Sequence, residues 1–324
     1  MKRVLGILAI AASIYMPASA KGLIKPANVA PGDTIAIISM ASTPDSAYVT
    51  AAVKVFADWG YVPVVGKYVL AEHGTFAGTP EQRLEDLKWA FDNSNVKAVM
   101  STRGGYGSVQ ELALLPRDYF KKHNKWLIGY SDISAVHSSM ATDGVMSVHG
   151  HMAEYLMHHN GTDSLSGWLR QIIETGSISY TIKNNNPMNH QGTASGVLFG
   201  GNLSVLNDIA QTPIDYLANN AKNLILFIED VDENIQSISR ILYRLKYAGI
   251  LGKVKGLIIG QFTGYKPSKD YETMEAMIYD IVNDMNIPIV YDFPVGHVDN
   301  NYPLIQGSNA TLTVTETTVT LTME

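Results

Sequence analysis

Short apolar runs alternate with amphipathic segments of helical length through the first half of the chain. Four apolar runs have the length and composition of buried strands: 33–38, 62–65, 96–102 and 126–128. Helices are predicted after the first, second and fourth of these runs, at 45–59, from Thr79 onwards and at 133–142. Strands and helices that alternate at this spacing build a parallel sheet with crossover helices. Ligands bind at the carboxyl ends of such strands, so the turns that follow them are the first candidates for a functional site.

The turn at 129–132 joins the fourth predicted strand to the next helix. Because the strand ends at Ile128 and the helix begins near Ile133, Ser131 lies at the crest of a sharp turn. A nucleophile elbow holds a serine hydroxyl in this way, near helix N–H groups that stabilise an oxyanion. The second glycine of G-x-S-x-G is absent, however, and Ser131 or Asp132 also suits a helix cap. Two interpretations of Ser131 therefore stay open, nucleophile and cap.

The second half of the chain has a different pattern, which predicts a β-rich α+β domain. Strands are predicted at 192–199, 224–228 and 254–259, and helices at 237–248 and 271–286. Alternating threonines at 310–314 and 318–321 are typical of an antiparallel hairpin. A helix at 164–174 and a polar run from Lys183 to Pro187 precede this half. We therefore predict an N-terminal α/β domain at 21–165, a linker at 166–190 and a C-terminal domain at 191–324.

The first 20 residues have the three parts of a secretory signal peptide. Lys2 and Arg3 form the positive end, Val4 to Ile14 the apolar stretch, and Ala18-Ser19-Ala20 the cleavage site. We predict cleavage after Ala20 and an exported, periplasmic location. The apolar stretch is too short to span a bilayer, so no membrane insertion is expected after cleavage.

Composition limits the chemistry that the chain can support. With 46% hydrophobic and 17% charged residues, its 324 residues can form one large or two medium cores. Cysteine is absent, which excludes a cysteine nucleophile, a thiolate zinc site and stabilising disulfides. The net charge of −6, which becomes −8 without Lys2 and Arg3, argues against nucleic acid or anionic lipid as a partner.

A serine nucleophile needs a base to take its proton, and His297 is the strongest candidate among nine histidines. It follows Gly296, which lets the backbone turn and leaves the imidazole unhindered, soon after the apolar run 287–290. An ordinary loop histidine is the alternative interpretation.

The base in turn needs a carboxylate to orient it, and Glu229 is the best candidate. It directly follows the apolar run 224–228 and is expected at the end of that strand. Asp230, Asp232 and Glu233 compete for the role, and a solvated acidic turn is the alternative.

The segment 103–108, Arg-Gly-Gly-Tyr-Gly-Ser, follows the third predicted strand. A phosphate loop is not supported, because no Gly-Lys-Ser/Thr follows and Gln110 occupies the last glycine position of a G-x-G-x-x-G. Backbone N–H groups that stabilise an oxyanion fit better. We predict one such donor at Gly104 or Gly105 and a second at Asp132.

Four histidines are candidates for a metal site: His149, His151, His158 and His159. Imidazoles two apart on a strand project to the same side, as metal ligands can. No H-E-x-x-H is present, however, and no spacing supplies a third ligand. We therefore predict neither a metal nor another cofactor.

Seven segments, taken together and in order, resemble the LD-carboxypeptidase family of serine peptidases, which includes the microcin C self-immunity peptidases. They are Gly32-Asp33-Thr34-Ile35, Phe76-Ala77-Gly78-Thr79 before Arg83 and Leu87, Arg103-Gly104-Gly105-Tyr106-Gly107, Gly129-Tyr130-Ser131-Asp132, Gly200-Gly201-Asn202-Leu203, Leu226-Phe227-Ile228-Glu229-Asp230 and Gly296-His297. Most are weak individually, but their shared order is specific.

The resemblance implies a catalytic triad in which Ser131 is the nucleophile, His297 the general base and Glu229 its orienting carboxylate. It also implies an N-terminal parallel α/β domain that carries the elbow, a C-terminal β-rich domain that carries the acid and base, and a homodimer. The implied reaction is hydrolysis of the amide between the L-centre of a diamino acid and the terminal D-alanine of a murein tetrapeptide. The implied partner is therefore a peptidoglycan stem peptide.

Substrate contacts are predicted at Arg103 and Asn202. A carboxypeptidase must recognise a free carboxylate, and Arg103 beside the glycine turn can clamp one with two hydrogen bonds. The alternative is that Arg103 pairs with an internal acid and holds the turn.

Two other functions stay open at this point. The same triad would also suit a microcin-like acylated nucleotide or another peptide amide. A non-catalytic exported peptide-binding protein, with Ser131 only a cap, is the third hypothesis.

Overall fold

The computed structural model describes residues 22–324, so the predicted signal peptide at 1–20 lies outside the described residues. Its strands are β1 (Thr34–Ile38), β2 (Val62–Val65), β3 (Val96–Ser101), β4 (Trp126–Gly129), β5 (Ser147–His149), β6 (Ile178–Lys183), β7 (Gly192–Asn202), β8 (Leu224–Val231), β9 (Gly256–Thr263), β10 (Ile289–Val290), β11 (Leu304–Gln306), β12 (Asn309–Val314) and β13 (Thr318–Met323). Its helices are α1 (Ser46–Asp58), α2 (Pro80–Asp92), α3 (Ser108–Leu112), α4 (Tyr119–Lys122), α5 (Ser134–Thr142), α6 (Ala153–His159), α7 (Ser164–Thr175), α8 (Leu203–Asp208), α9 (Tyr216–Asn220), α10 (Ile235–Tyr247) and α11 (Met274–Val282).

The first sheet has six strands in the order β11-β5-β4-β3-β1-β2. Strands β1 to β5 are parallel to one another, which confirms the predicted parallel α/β architecture. β11, from near the end of the chain, is antiparallel to β5 and was not predicted. Its three residues bring the last part of the chain into the first sheet.

The second sheet has seven strands in the order β10-β9-β8-β7-β12-β13-β6. The strands from β10 to β7 are parallel, whereas β7, β12, β13 and β6 are antiparallel to one another. The predicted terminal hairpin is confirmed as β12 and β13, where Val314 pairs with Val319. A second, β-rich domain is thus present as expected.

Residues 166–190, the predicted linker, contain most of α7 and all of β6. β6 pairs with β13 and forms one edge of the second sheet, so this stretch is built into the fold. The domain limits themselves stay a prediction.

The hydrophobic core has two clusters, and each contains residues from both sheets. One includes Ile38 and Leu127 of the first sheet with Leu226 of the second. The other includes Trp126 of the first sheet and Phe227 of the second. Because side chains in protein interiors are closely packed, shared clusters restrict movement of one sheet against the other.

Across residues 22–324, no helix has both the length and the apolar character needed to cross a membrane.

Candidate active site

Ser131 lies between β4 and α5, at the start of a short 3-10 turn that covers Ser131–Ile133. Its φ of 64° falls in the left-handed region, which residues other than glycine seldom adopt. Such backbone strain is concentrated at functional sites and is costly elsewhere. The side chain forms no cap for α5, so the cap interpretation has no support.

The glycine turn after β3 lies directly against Ser131. A Cβ atom added at Gly104 would come within 2.8 Å of the Ser131 Cβ and 3.0 Å of its Oγ, so a side chain there would displace the serine. Within residues 22–324, the backbone N–H groups of Gly104, Gly105 and Asp132 donate to no acceptor. The donors predicted for an oxyanion are therefore available at and beside Ser131.

The side chain of Asp132 joins the elbow to the start of α3. Its Oδ2 accepts from the Ser108 backbone N–H at 2.8 Å, and the Ser108 hydroxyl donates to the Asp132 carbonyl at 2.8 Å. Both residues are buried. The pair fixes the glycine turn relative to the serine. The sequence predicts Asp132 only as a helix cap or a backbone donor, and no local pattern relates it to Ser108, 24 positions earlier.

Arg83 of α2, which is 1% exposed, holds the other end of the glycine turn. It donates to the carbonyl oxygens of Gly78 at 2.7 Å and Gly107 at 3.4 Å, and to Glu111 Oε2 at 3.2 Å. Burial raises the pKa of Glu111 to about 8, although the Arg83 charge acts in the opposite direction. Breaking such a buried pair leaves an uncompensated charge, so the turn is firmly supported.

Glu229 lies within β8, two residues before its last residue Val231, and is fully buried. The register between β8 and β9 shifts between Ile228 and Asp230, so Glu229 sits at a bulge. A bulge can change the direction of a side chain at a site. The sequence places Glu229 at a strand end, whereas the structure places it just inside one.

His297 lies in the loop between β10 and β11, with 18% of its side chain exposed. Gly296 has a φ of 131°, and a Cβ there would lie 3.0 Å from the Glu229 Cβ. The loop can therefore approach β8 closely only with glycine at this position.

Ser131, His297 and Glu229 form one hydrogen-bonded chain. His297 Nε2 is 2.9 Å from Ser131 Oγ, and His297 Nδ1 is 2.8 Å from Glu229 Oε2. Burial acts to lower the pKa of His297, but the hydrogen bond and charge of Glu229 outweigh it and raise that pKa above its ordinary value. The arrangement has the geometry of a nucleophile, a base and an orienting acid.

Comparison with known families agrees with this geometry. Residues 35–150 match the LD-carboxypeptidase N-terminal domain, and residues 195–312 match the LD-carboxypeptidase C-terminal domain. The chain belongs to the LD-carboxypeptidase family. The resemblance seen in the sequence is thereby confirmed, as is the expectation of an LD-carboxypeptidase-type enzyme.

Individual relatives span most of this LD-carboxypeptidase chain. The murein tetrapeptide carboxypeptidase of Pseudomonas aeruginosa is 30% identical, over 76% of this chain and 82% of its own. A Bacillus subtilis protein named probable murein peptide carboxypeptidase is 29% identical, over 92% and 94%.

Solved structures give the same fold. The muramoyltetrapeptide carboxypeptidase from Oxalobacter formigenes has a TM-score of 0.78 at 28% identity, covering 90% of this chain and 98% of its own. An MccF-like protein from Bacillus anthracis has a TM-score of 0.82, covering 93% and 100%, but at 23% identity it shows the fold alone.

The two residues predicted to contact substrate have different surroundings in this LD-carboxypeptidase. Arg103 is partly exposed and makes no side-chain hydrogen bond or ion pair within residues 22–324. The alternative in which it pairs with an internal acid is therefore not supported.

Asn202 is 5% exposed, and both ends of its amide are used inside the protein. Its Oδ1 accepts from Val205 N–H at 3.1 Å, and its Nδ2 donates to Asp230 Oδ1 at 3.0 Å. Both polar atoms of the Asn202 side chain are thus hydrogen-bonded inside the protein, and a substrate contact by this residue stays a prediction.

The histidines considered as metal ligands have other surroundings. His149 is buried in β5, while the rings of His151, Tyr155 and His159 stack in sequence with centroids 3.5 and 4.0 Å apart. In the part of the chain that the structure describes, no three histidine or acidic side chains are grouped to hold a metal. The stack lines a cleft of about 640 Å³ that reaches His297, so it borders the space where a substrate would lie.

Proposed function

We propose that this chain is an exported serine LD-carboxypeptidase that releases the terminal D-alanine from murein tetrapeptides. The observation that carries the proposal is the hydrogen-bonded chain from Ser131 through His297 to Glu229. It lies beside N–H groups of the glycine turn that have no acceptor among residues 22–324. The names of the relatives support a murein peptide as substrate. Export is proposed from the signal-like pattern of residues 1–20.

In the proposed mechanism, His297 Nε2 takes the Ser131 proton as Oγ attacks the carbonyl carbon of the scissile amide. The N–H groups of Gly104 or Gly105 and of Asp132 stabilise the resulting oxyanion. His297 then gives the proton to the departing amine of D-alanine, which leaves an acyl-enzyme on Ser131. His297 next takes a proton from water as the water oxygen attacks the acyl carbon. It then returns that proton to Ser131 Oγ as the bond between Oγ and the tripeptide breaks. The Glu229 carboxylate orients the imidazole and stabilises its charged form throughout.

The proposed reaction is tested by mass spectrometry of a purified murein tetrapeptide after incubation with the protein. We expect the mass to fall by one alanine residue and free D-alanine to appear. A tetrapeptide ending in L-alanine and an aminoacyl-sulfamoyl adenosine are the matched comparison substrates. Faster turnover of the sulfamoyl adenosine would contradict the murein assignment, and no turnover of any substrate would favour a binding protein.

Arg103 is proposed to bind the free carboxylate of the substrate, because its guanidinium lies next to the glycine turn and has no partner among residues 22–324. Lysine cannot reproduce a bidentate clamp, so Arg103→Lys is expected to raise KM about tenfold or more with a smaller change in kcat. Arg240→Lys, at an exposed position of α10, is the control and should leave KM unchanged.

A substrate that ends in a carboxamide separates recognition from support of the turn. With this amide, the KM of wild type should rise by about the same factor that Arg103→Lys causes with the acid. The KM of Arg103→Lys should rise little further when the acid is replaced by the amide. If Arg103→Lys raised KM equally for the acid and the amide substrates, Arg103 would not recognise the carboxylate.

A further inference from the structure

The proposed triad is divided between the two sheets. Ser131 follows β4 of the first sheet, whereas Glu229 lies in β8 and His297 follows β10 of the second. The 2.9 Å hydrogen bond from Ser131 to His297 therefore crosses from one sheet to the other. Reacting groups must be held to within about 0.5 Å, so something must fix the sheets at this point.

Gln306 makes one direct connection between the sheets. Its backbone belongs to β11, which is paired with β5 of the first sheet. Its side chain reaches β7 of the second sheet, where Oε1 accepts from Gly200 N–H at 3.0 Å and Nε2 donates to the Gly200 carbonyl at 2.7 Å. The Gln306 side-chain amide thus forms the same pair of hydrogen bonds with Gly200 that a backbone peptide group of an adjacent strand would form. Gln306 is fully buried, so water does not compete for these bonds.

A second connection starts three residues after Ser131. Ser134 Oγ, in the first turn of α5, accepts from the Asn202 backbone N–H at 3.0 Å. The Asn202 side chain continues the connection by donating to Asp230, the residue after Glu229. Asp230 is itself fixed, since its Oδ2 accepts from the backbone N–H and the hydroxyl of Ser204 at 2.8 and 2.7 Å. This path runs beside the hydrogen bonds that link Ser131 to Glu229. It joins the same two segments, the start of α5 and the end of β8.

The glycine directly before Asn202 allows the sheets to come this close, because a Cβ at Gly201, where φ is 142°, would lie 2.5 Å from Ser134 Oγ. A Cβ at Gly200 would instead overlap the Phe227 carbonyl oxygen of β8, the neighbouring strand of the same sheet. Contacts of that kind force the backbone to shift. The Gly200-Gly201-Asn202 segment is therefore used for contact between the sheets.

We propose that Gln306 and the Ser134–Asn202–Asp230 path form an inter-sheet bridge that sets the distance between Ser131 and His297. Gln306, Ser134 and Asn202 act in it as positioning residues, through hydrogen bonds inside the protein. The inference rests on the proposed function, because it takes Ser131 as the nucleophile and His297 as its base.

The bridge is tested by Gln306→Met, which keeps the side-chain length and removes both bonds to Gly200. A displacement of about 1 Å costs about 100-fold in rate, so kcat should fall by up to that factor with KM nearly unchanged. The acid limb of the pH profile should stay in place, since the hydrogen bond between Glu229 and His297 involves neither Gln306 nor Gly200 and should persist. Ser134→Ala interrupts the second path and should lower kcat about tenfold.

Asn189→Leu is the matched control for lost stability. Asn189 Oδ1 accepts from Tyr291 N–H at 2.6 Å, and Nδ2 donates to Asn184 Oδ1 at 2.7 Å, so the variant loses two bonds without crossing between sheets. Its Tm should fall while kcat is retained. The bridge is overturned if, at a similar loss of Tm, Gln306→Met lowers kcat no more than Asn189→Leu does. If Gln306→Met does not fold, Ser134→Ala is judged by the same criterion.

The rate of Ser131 labelling by a fluorophosphonate separates failure of the bridge from failure of the proposed function. The reagent phosphonylates an activated serine with loss of fluoride, and Ser131→Ala supplies the blank. Labelling of wild type without tetrapeptide hydrolysis would contradict the substrate, while slower labelling of Gln306→Met would still support the bridge. Equal labelling of Gln306→Met, Asn189→Leu and wild type would overturn the bridge alone, and an unlabelled wild type would overturn both proposals.

Discussion

Ser131→Ala is expected to lower kcat by about 10⁴-fold or more for release of D-alanine from a murein tetrapeptide. The substitution removes only the hydroxyl that is 2.9 Å from His297 Nε2, while the N–H groups of the glycine turn remain. Substrate binding should therefore persist, with a dissociation constant close to the wild-type value. Rapid-quench measurement of D-alanine, together with calorimetric titration of the intact tetrapeptide, checks both parts.

Ser139→Ala is the matched control, because Ser139 lies in α5 and its hydroxyl forms no hydrogen bond with residues 22–324. It should retain the wild-type kcat. Alanine also tolerates the φ of 64° at residue 131 about as well as serine does, so the Tm of Ser131→Ala should change little. Residual kcat within tenfold of wild type would place the nucleophile elsewhere.

Strands β1 to β4 of the first sheet could be predicted from the sequence because each is a local apolar run with a helix after it, whereas β5, with three residues, was not predicted. The elbow was found for the same reason, since Trp126 to Ile128 and the helix after Ser131 leave only a few residues for the turn. Local patterns of this kind do not reveal distant partners. β11 has three residues and is recognisable only by its pairing with β5, about 155 positions earlier in the chain.

The residues proposed for chemistry were easier to find than those that support them. Ser131, Glu229 and His297 each follow an apolar run or a glycine, and their residue types match known chemistry. Arg83 gives no such signal, because a charged residue on an amphipathic helix is normally assigned to the surface. Its burial depends on carbonyl groups at Gly78 and Gly107, which only the folded chain brings together.

Asn202 shows how a motif found in the sequence can leave the contacts of a side chain unpredicted. The sequence marks Gly200-Gly201-Asn202 through the family resemblance, and a polar side chain at a strand end is a reasonable substrate contact. In the fold the side chain turns inward to Asp230 and to the start of α8. The distinction depends on side-chain direction, which strand and helix patterns leave undetermined.

Glu229→Gln is expected to change both the height and the position of the pH profile. Loss of the carboxylate removes the charge that stabilises the imidazolium, so kcat should fall by about 10⁴-fold. The same charge raises the pKa of His297 in wild type. A base works only when unprotonated, so wild-type kcat/KM should fall with decreasing pH through a pKa above the ordinary value of 6.5. In Glu229→Gln that pKa is lower, and the acid limb should move to lower pH.

At acid pH, the lower kcat of Glu229→Gln and the shift of its acid limb change the ratio of wild-type to variant activity in opposite directions. The pH dependence of that ratio therefore separates the two effects. As pH falls from neutral, wild type loses activity first, while the small activity of Glu229→Gln persists. The ratio of wild-type to variant kcat/KM should therefore decrease. Glu272→Gln removes one negative charge at an exposed position and should change neither plateau nor limb. A lower plateau with an unmoved acid limb would mean that Glu229 only supports the fold. A shifted acid limb with a normal plateau would mean that Glu229 raises the pKa of His297 but is not needed to orient the imidazole.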